Sequence, residues 1–394
     1  MNAQRALSSF RAPEEAATQD RTWTVVRDAY RLREPVRRRR SHRRLLLAPA
    51  IAILLAVVTL SPAGATVGRW IRHALGVPHA APALFRLPAW GSVLVSGAGG
   101  TWTVASDGST RRLGPWHQAS WSPHGLFVAV TRKDELAAVD PHGTLHWALA
   151  RPAVRDPRWY VPTGYRVAYL SAHTLRVVAG DGTGDHALAT GIAPIAPAWQ
   201  PGSSYRLAYV TGKGRLVVRN ADSKRIIWTA PLSGPAHELA WSSDGRELLA
   251  VTPTRASLYD AGGHPIATIP ASPGAPIRTA SLAPDGKMLA MIRGAANQDV
   301  VVWNVGSPTA TSQPRRVLSG AGLRQLAWSP DGRWLLVSWP AADQWVFVRV
   351  AGMPRIAAVS RIARQFSARG AQPSAPDGFP SLDGWCCTTT GTAG

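Results

Sequence analysis

A phrase built on Trp-Ser-Pro-Asp-Gly returns along this chain at close to forty-residue intervals, and that recurrence limits the fold more than any other feature. It stands complete at Trp328–Gly332, and altered copies begin at Trp121, Trp159, Trp199, Trp241 and Leu282. The intervals between successive anchors are 38, 40, 42, 41 and 46 residues. Six copies at that spacing mark a repeat architecture, in which no single unit can bury its apolar surface alone.

The same rhythm follows each anchor. A β-branched and aromatic run comes first, as in Phe127–Thr131 and Trp334–Ser338. A second run follows and often ends near Asp or Asn, as in Leu136–Asp140 and Leu216–Asn220. A Gly-containing turn and a third run close the unit, as in Leu145–Ala150 and Pro265–Ile269. With the short apolar strand that precedes each anchor, this makes four strands in about forty residues, the pattern of a propeller blade. A four-stranded sheet has two faces to cover, so blades stacked around an axis protect one another. In the anchor, Pro fixes its own φ and Asp-Gly makes a tight turn at low steric cost. The reading therefore treats Trp121, Trp159, Trp199, Trp241 and Trp328 as structural fillers between blades. Asp244, Asp285 and Asp331 are read as turn formers.

Residues 84–118 carry the same rhythm without the phrase, and Ala89-Trp90-Gly91 reads as a shortened anchor. The count is then seven blades, with six as the alternative if 84–118 caps the ring. Closure often borrows a strand from the opposite terminus, so Arg355–Phe366 or something after it is expected to complete either the last blade or the first. The phrase and its flanking strands resemble the TolB-like propeller repeats of bacterial envelope proteins and, more loosely, WD-repeat propellers, over about 84–366. That resemblance implies a scaffold that binds proteins or peptides, with catalysis only if a site is grafted onto it.

Ahead of the repeats, Leu45–Gly68 runs 24 residues without a formal charge, long enough to cross a bilayer as a helix. Arg37–Arg40, Arg43 and Arg44 precede it and place the N-terminus on the cytoplasmic side. The expected organisation is a cytoplasmic segment 1–44, a membrane span 45–68, a linker 69–83, an extracytoplasmic propeller 84–366 and a loose tail from 367 to 394. Ala63-Gly64-Ala65 offers the competing reading of a cleaved signal peptide.

The formal net charge of +21 invites a nucleic-acid reading. Its distribution argues against one: residues 1–44 hold 12 Arg against 5 acids, and the remainder lacks any basic block interleaved with aromatics. The reading is therefore no nucleic acid. Two adjacent cysteines, Cys386 and Cys387, are too few for a disulfide framework or a zinc site. Exposed thiols on a loose tail are the plain reading, and a vicinal disulfide or an intermolecular bridge the other.

No catalytic constellation stands out. His142 and His146 are four apart across a Pro-His-Gly turn, and Asp181-Gly-Thr-Gly-Asp185 is too short for a calcium loop. The expectation is no cofactor, no metal and no enzyme activity. The favoured function is a membrane-held binding module for an envelope protein, peptide or glycan. A single-pass sensor resembling anti-sigma factors in layout is the first alternative, and an envelope enzyme with its site on the propeller the second. In the sensor reading Trp23, Val26 and Tyr30 line one side of a short helix within 20–34, for contact with a cytoplasmic regulator. Intact-mass spectrometry of membrane-fraction protein is expected to return the uncleaved chain. A species beginning after Ala65 would favour the signal peptide.

Overall fold

In the computed structural model, the described residues are 86–202, 204–305, 314–367 and 378–387. They form seven four-stranded antiparallel sheets. The innermost strands touch one another in sequence around an axis and return to the start, so the ring is closed. The protein is a seven-bladed β-propeller. Numbered from the N-terminal end, the seven inner strands are Ser381–Cys386, Gln118–Trp121, Val154–Trp159, Ala198–Trp199, Glu238–Trp241, Ile277–Leu282 and Gln325–Trp328.

Burial follows position in the blade. The second and third strands lie between two neighbouring blades, so both their faces are covered. Trp334–Trp339 is buried along its whole length, and Arg166–Ser171 is buried from Val167 onward. Outer strands have one edge in water and alternate, as Leu145–Ala150 does. This explains why the central runs read as continuous apolar stretches and the outer ones do not.

The anchor phrase is a hydrogen-bonded turn. Ser329 Oγ donates to Asp331 Oδ1 (2.5 Å) and accepts the Trp334 N–H (2.9 Å). Asp331 Oδ1 also accepts the Arg333 N–H, at 3.1 Å. Ser242, Asp244 and Glu247 repeat the arrangement, and Asp285 accepts the Lys287 N–H at 3.0 Å. Gly332 closes the turn at φ +66°, where a side chain would be strained. The anchor Trp side chains sit between blades, each 9% exposed or less. Trp199 Nε1 donates to the Arg158 carbonyl of the preceding blade, and Trp328 Nε1 to that of Ser281, both at 2.9 Å.

Two expectations need correction at the seam. The tail is not loose throughout: Ser381–Cys386 is the innermost strand of the first blade, beside Ser92–Gly97. The propeller therefore extends past 366. The shortened anchor at Ala89-Trp90-Gly91 is also not the anchor, because Trp90 is 51% exposed. Trp385 holds that place. It pairs with Val93 as Trp121 pairs with Val128 and Trp328 with Leu335. Residues 92–114 supply three strands, and the fourth comes from the other end of the chain. Arg355–Ser360 completes the last blade, as one of the closing readings expected, by serving as the outer strand of the seventh, and Ile362–Gln365 is a short helix. Gly91, at φ +99°, leaves room at the seam; a Cβ there would lie 2.7 Å from the Cys386 carbonyl oxygen.

Polar side chains at the starts of the inner strands tie neighbouring blades together. Gln118 Oε1 accepts the Asp156 N–H (2.8 Å), Glu238 Oε2 that of Ala280 (3.0 Å), and Gln325 Oε1 that of Leu382 (2.9 Å). Asp383 accepts from the Ala119 N–H and from Ser96 Oγ. Burial pushes the Asp383 carboxyl up to about 7, against the lowering effect of Ser96.

Among the described residues no helix is long and apolar enough to cross a membrane. The segment 45–68 and the Trp23, Val26 and Tyr30 stripe lie outside those residues.

The raised Asp383 pKa carries a sign. Between about pH 4 and 7 the folded state holds a proton that the unfolded state has released, so this group's contribution to stability falls as pH rises through that window. Asp383→Asn keeps the acceptor for Ala119 and removes the cost of ionisation. Its melting temperature is expected to match wild type near pH 4 and exceed it by roughly 5 °C at pH 8. Differential scanning calorimetry across pH checks this; a constant offset would refute the assignment. Separately, Ser329→Ala is expected to lower stability by about 1–2 kcal/mol in urea unfolding, since it strips the turn of both hydrogen bonds.

Candidate functional site

Each blade presents two turns on one side of the ring: the anchor turn and the turn before its outer strand. On that face, between the second and third blades, lies a cleft of about 650 Å³. Its floor is aromatic. Phe127 stacks on Trp159 with ring centroids 6.5 Å apart, and His146 meets Phe127 edge-on at 4.9 Å. Trp147 forms a wall, and its Nε1 donates to the Gly180 carbonyl of the third blade at 2.8 Å. Gly182, at φ +86°, gives that indole room; a Cβ there would lie 2.8 Å from its ring.

The lip is apolar and exposed. Leu126 is 54% exposed and Tyr165 62%. The repeat explains how they arise. After the anchor glycine, the fifth, sixth and seventh blades carry Arg246, Lys287 and Arg333, each two residues beyond an Asp. The second and third blades place Leu126 and Tyr165 there, and His124 and Thr163 replace the Asp. Both members of a surface charge pair are thus exchanged for uncharged groups on adjacent blades. The turn scaffold survives the exchange: Ser122 Oγ still accepts the Phe127 N–H at 2.9 Å.

Polar groups at the edge are already engaged. Asp181 Oδ1 accepts the N–H of Thr183 (3.0 Å) and its hydroxyl (2.7 Å), which holds its carboxyl below the usual range. Arg166 lies over the Tyr205 ring at 5.0 Å and 3.5 Å from Asp222. Beneath the cleft, Asp185 is buried. Burial alone would raise its carboxyl, but Arg176, Tyr169 and Arg151 hold it below the ordinary value. The calcium-loop resemblance of 181–185 thus resolves into a capped turn and a buried ion pair. Among the described residues no group of three or more His, Cys, Asp or Glu is placed to hold a metal ion. Cys386 and Cys387 form a disulfide, and Cys387 Sγ lies 3.2 Å from the carbonyl oxygen of Pro123, itself a cleft residue.

Of the residues the sequence singled out, Trp159 reaches the cleft as part of its floor, while Trp121, Trp199, Trp241 and Trp328 lie buried at other junctions. Asp244, Asp285 and Asp331 stay in their own turns. Leu126, Phe127 and Tyr165 follow the anchor glycine and lie outside the Trp and Asp positions of the phrase, so the phrase itself does not mark them.

No protein-family model matches the chain, and no curated protein matches it. Solved propellers do. A Bacteroides uniformis protein, provisionally described as a 6-phosphogluconolactonase, superposes with a TM-score of 0.52 at 15% identity, covering 68% of this chain and 96% of its own. The C-terminal WD40 domain of Sif2 gives 0.51 at 14% identity, covering 66% of this chain and 78% of its own. At such identities the likeness establishes the fold and nothing finer.

Gly182→Ala tests the wall of the cleft. The strained φ and the contact with Trp147 are expected to cost about 1–3 kcal/mol of stability in denaturant unfolding, with a change in Trp fluorescence. Gly184→Ala, also at positive φ but with open space around its Cβ, is expected to cost less.

Proposed function

We propose that this chain is a membrane-anchored, extracytoplasmic binding module without catalytic activity, and that the cleft between the second and third blades seats an apolar segment of an envelope protein or peptide. One observation carries the reading. At the repeat-equivalent position where three other blades keep a charge, these two adjacent blades expose Leu126 and Tyr165 beside an aromatic floor. Exposed apolar side chains gathered at a concavity mark an interaction site. A rigid ring presenting varied turns suits recognition, because position is set by the scaffold and identity by a few side chains. Membrane attachment rests on the uncharged run 45–68 behind its Arg cluster, and the envelope setting on the TolB-like character of the repeats.

Selection of a random peptide library against the full-length protein in detergent tests the assignment. Enriched peptides are expected to share an aromatic or large aliphatic residue and to lose at least tenfold in affinity on Leu126→Asp with Tyr165→Asp. Arg246→Ala with Lys287→Ala, on other blades of the same face, should leave binding unchanged. Peptides that bind the first variant as well as wild type would place the site elsewhere.

A further inference from the structure

The two faces of the ring differ in how they treat charge. On the anchor-turn face an acid stands two residues from a cation in four turns: Asp222–Lys224, Asp244–Arg246, Asp285–Lys287 and Asp331–Arg333. On the opposite face, six successive loops run from Thr211 to Arg324 between the strands of the fourth to seventh blades. None contains an Asp or Glu. Lys213, Arg215, Arg255, Arg278 and Arg324 stand in those loops or open the strands beside them, and all five are exposed. Arg215 donates to Thr229 Oγ1 and Arg278 to the Gly294 carbonyl, both uncharged partners. Three carboxylates begin or lie near strands of this sector, and all are turned to other partners. Asp343, in the seventh blade's own loop, accepts the Ala363 N–H at 2.8 Å. Glu238 accepts from Thr279 Oγ1 and the Ala280 N–H, and burial raises its pKa. Asp299 accepts from Ser319 Oγ.

Among the described residues this face exposes no large apolar side chain. All nine large apolar side chains that are exposed among the described residues sit in, or within two residues of, turns on the anchor side. A surface that inserts into lipid combines cations with apolar groups, and here the two are segregated to opposite faces. Nor does this sector expose an aromatic ring on which a base could stack, which separates it from single-strand binding surfaces. Cations spread over a wide arc without stacking groups suit a ligand that is itself a line of charges.

We propose that the loop face of the fourth to seventh blades binds a linear polyanion with closely spaced phosphate charges, through Lys213, Arg215, Arg255, Arg278 and Arg324. This stands independently of the cleft. A +21 chain will attract anions somewhere, so the test must compare faces at equal charge. Full-length protein carrying Arg37→Gln, Arg38→Gln, Arg39→Gln and Arg40→Gln removes the basic cluster ahead of the apolar run as a competitor. In that background, binding of long-chain inorganic polyphosphate is measured in detergent by fluorescence anisotropy between 50 and 200 mM salt. Lys213→Ala with Arg255→Ala and Arg278→Ala should weaken binding at least tenfold and flatten the slope of log affinity against log salt by about two. Arg246→Ala with Lys287→Ala and Arg333→Ala removes the same charge from the other face and should change affinity less than twofold. Equal losses in the two triples would overturn the proposal, as would no binding at 50 mM salt. Preferential, Lys213-dependent binding to phosphatidylglycerol vesicles or to oligo-dT over polyphosphate would overturn it in favour of those partners.

Discussion

Every blade has two apolar faces and covers neither by itself, so the whole propeller depends on the seam where the chain's two ends meet. At that seam the innermost strand is Ser381–Cys386 and its partners are Ser92–Gly114. Val93 and Val95 of the first blade pack with Trp334, Leu336 and Phe347 of the seventh, and Trp385 joins the same core. On the other side Leu94 packs with Trp121 and Val128 of the second blade. One borrowed strand thus completes two cores at once. The hydrogen bonds from the Leu382 N–H to Gln325 and from the Ala119 N–H to Asp383 act at those same two junctions; the chain reaches this strand from the seventh blade and does not run on from it into Ser92–Gly97.

The repeat separates what must stay from what can change. Ser and Asp of the anchor satisfy backbone groups inside the turn, and the glycine supplies the left-handed corner; those positions serve the fold. The residue after the glycine points outward and carries no such duty. In the fifth, sixth and seventh blades it balances the Asp. Where it has become Leu126 or Tyr165, the Asp has gone too, and a neutral charge pattern gives way to an apolar lip. On the loop face the repeat imposes no Asp, so cations there accumulate without compensation. The two faces differ because only one of them is written by the anchor phrase.

Much of this was legible in the residues. The blade count, the four-strand rhythm and the burial of Trp121, Trp159, Trp199, Trp241 and Trp328 follow from spacing and from the need to cover sheet faces. The seam was harder. Trp385 lies 57 residues after Trp328, outside the period, and is followed by Cys-Cys where the copies at Trp121 and Trp328 have Ser-Pro. Its turn is cut open: one half ends at Cys387 and the other begins near Gly91, so no continuous phrase exists to find. The cleft was illegible for a different reason. It forms from residues 122–127, 146–147, 159, 163–166 and 179–181, which are local neighbours only once two blades are stacked. What the sequence did hold was the double exchange at 124/126 and 163/165, visible when the copies are aligned by their glycines.

The ring stands or falls with the borrowed strand, and hydrogen–deuterium exchange on the chain truncated after Pro380 tests that dependence most directly. If the strand completes the cores of both neighbouring junctions, amides of the first, second and seventh blades should lose protection together, and unfolding should begin at a far lower denaturant concentration. Should protection fade in Ser92–Gly114 alone while the other six blades exchange as in the full chain, the ring does not depend on its seam, and the account is wrong.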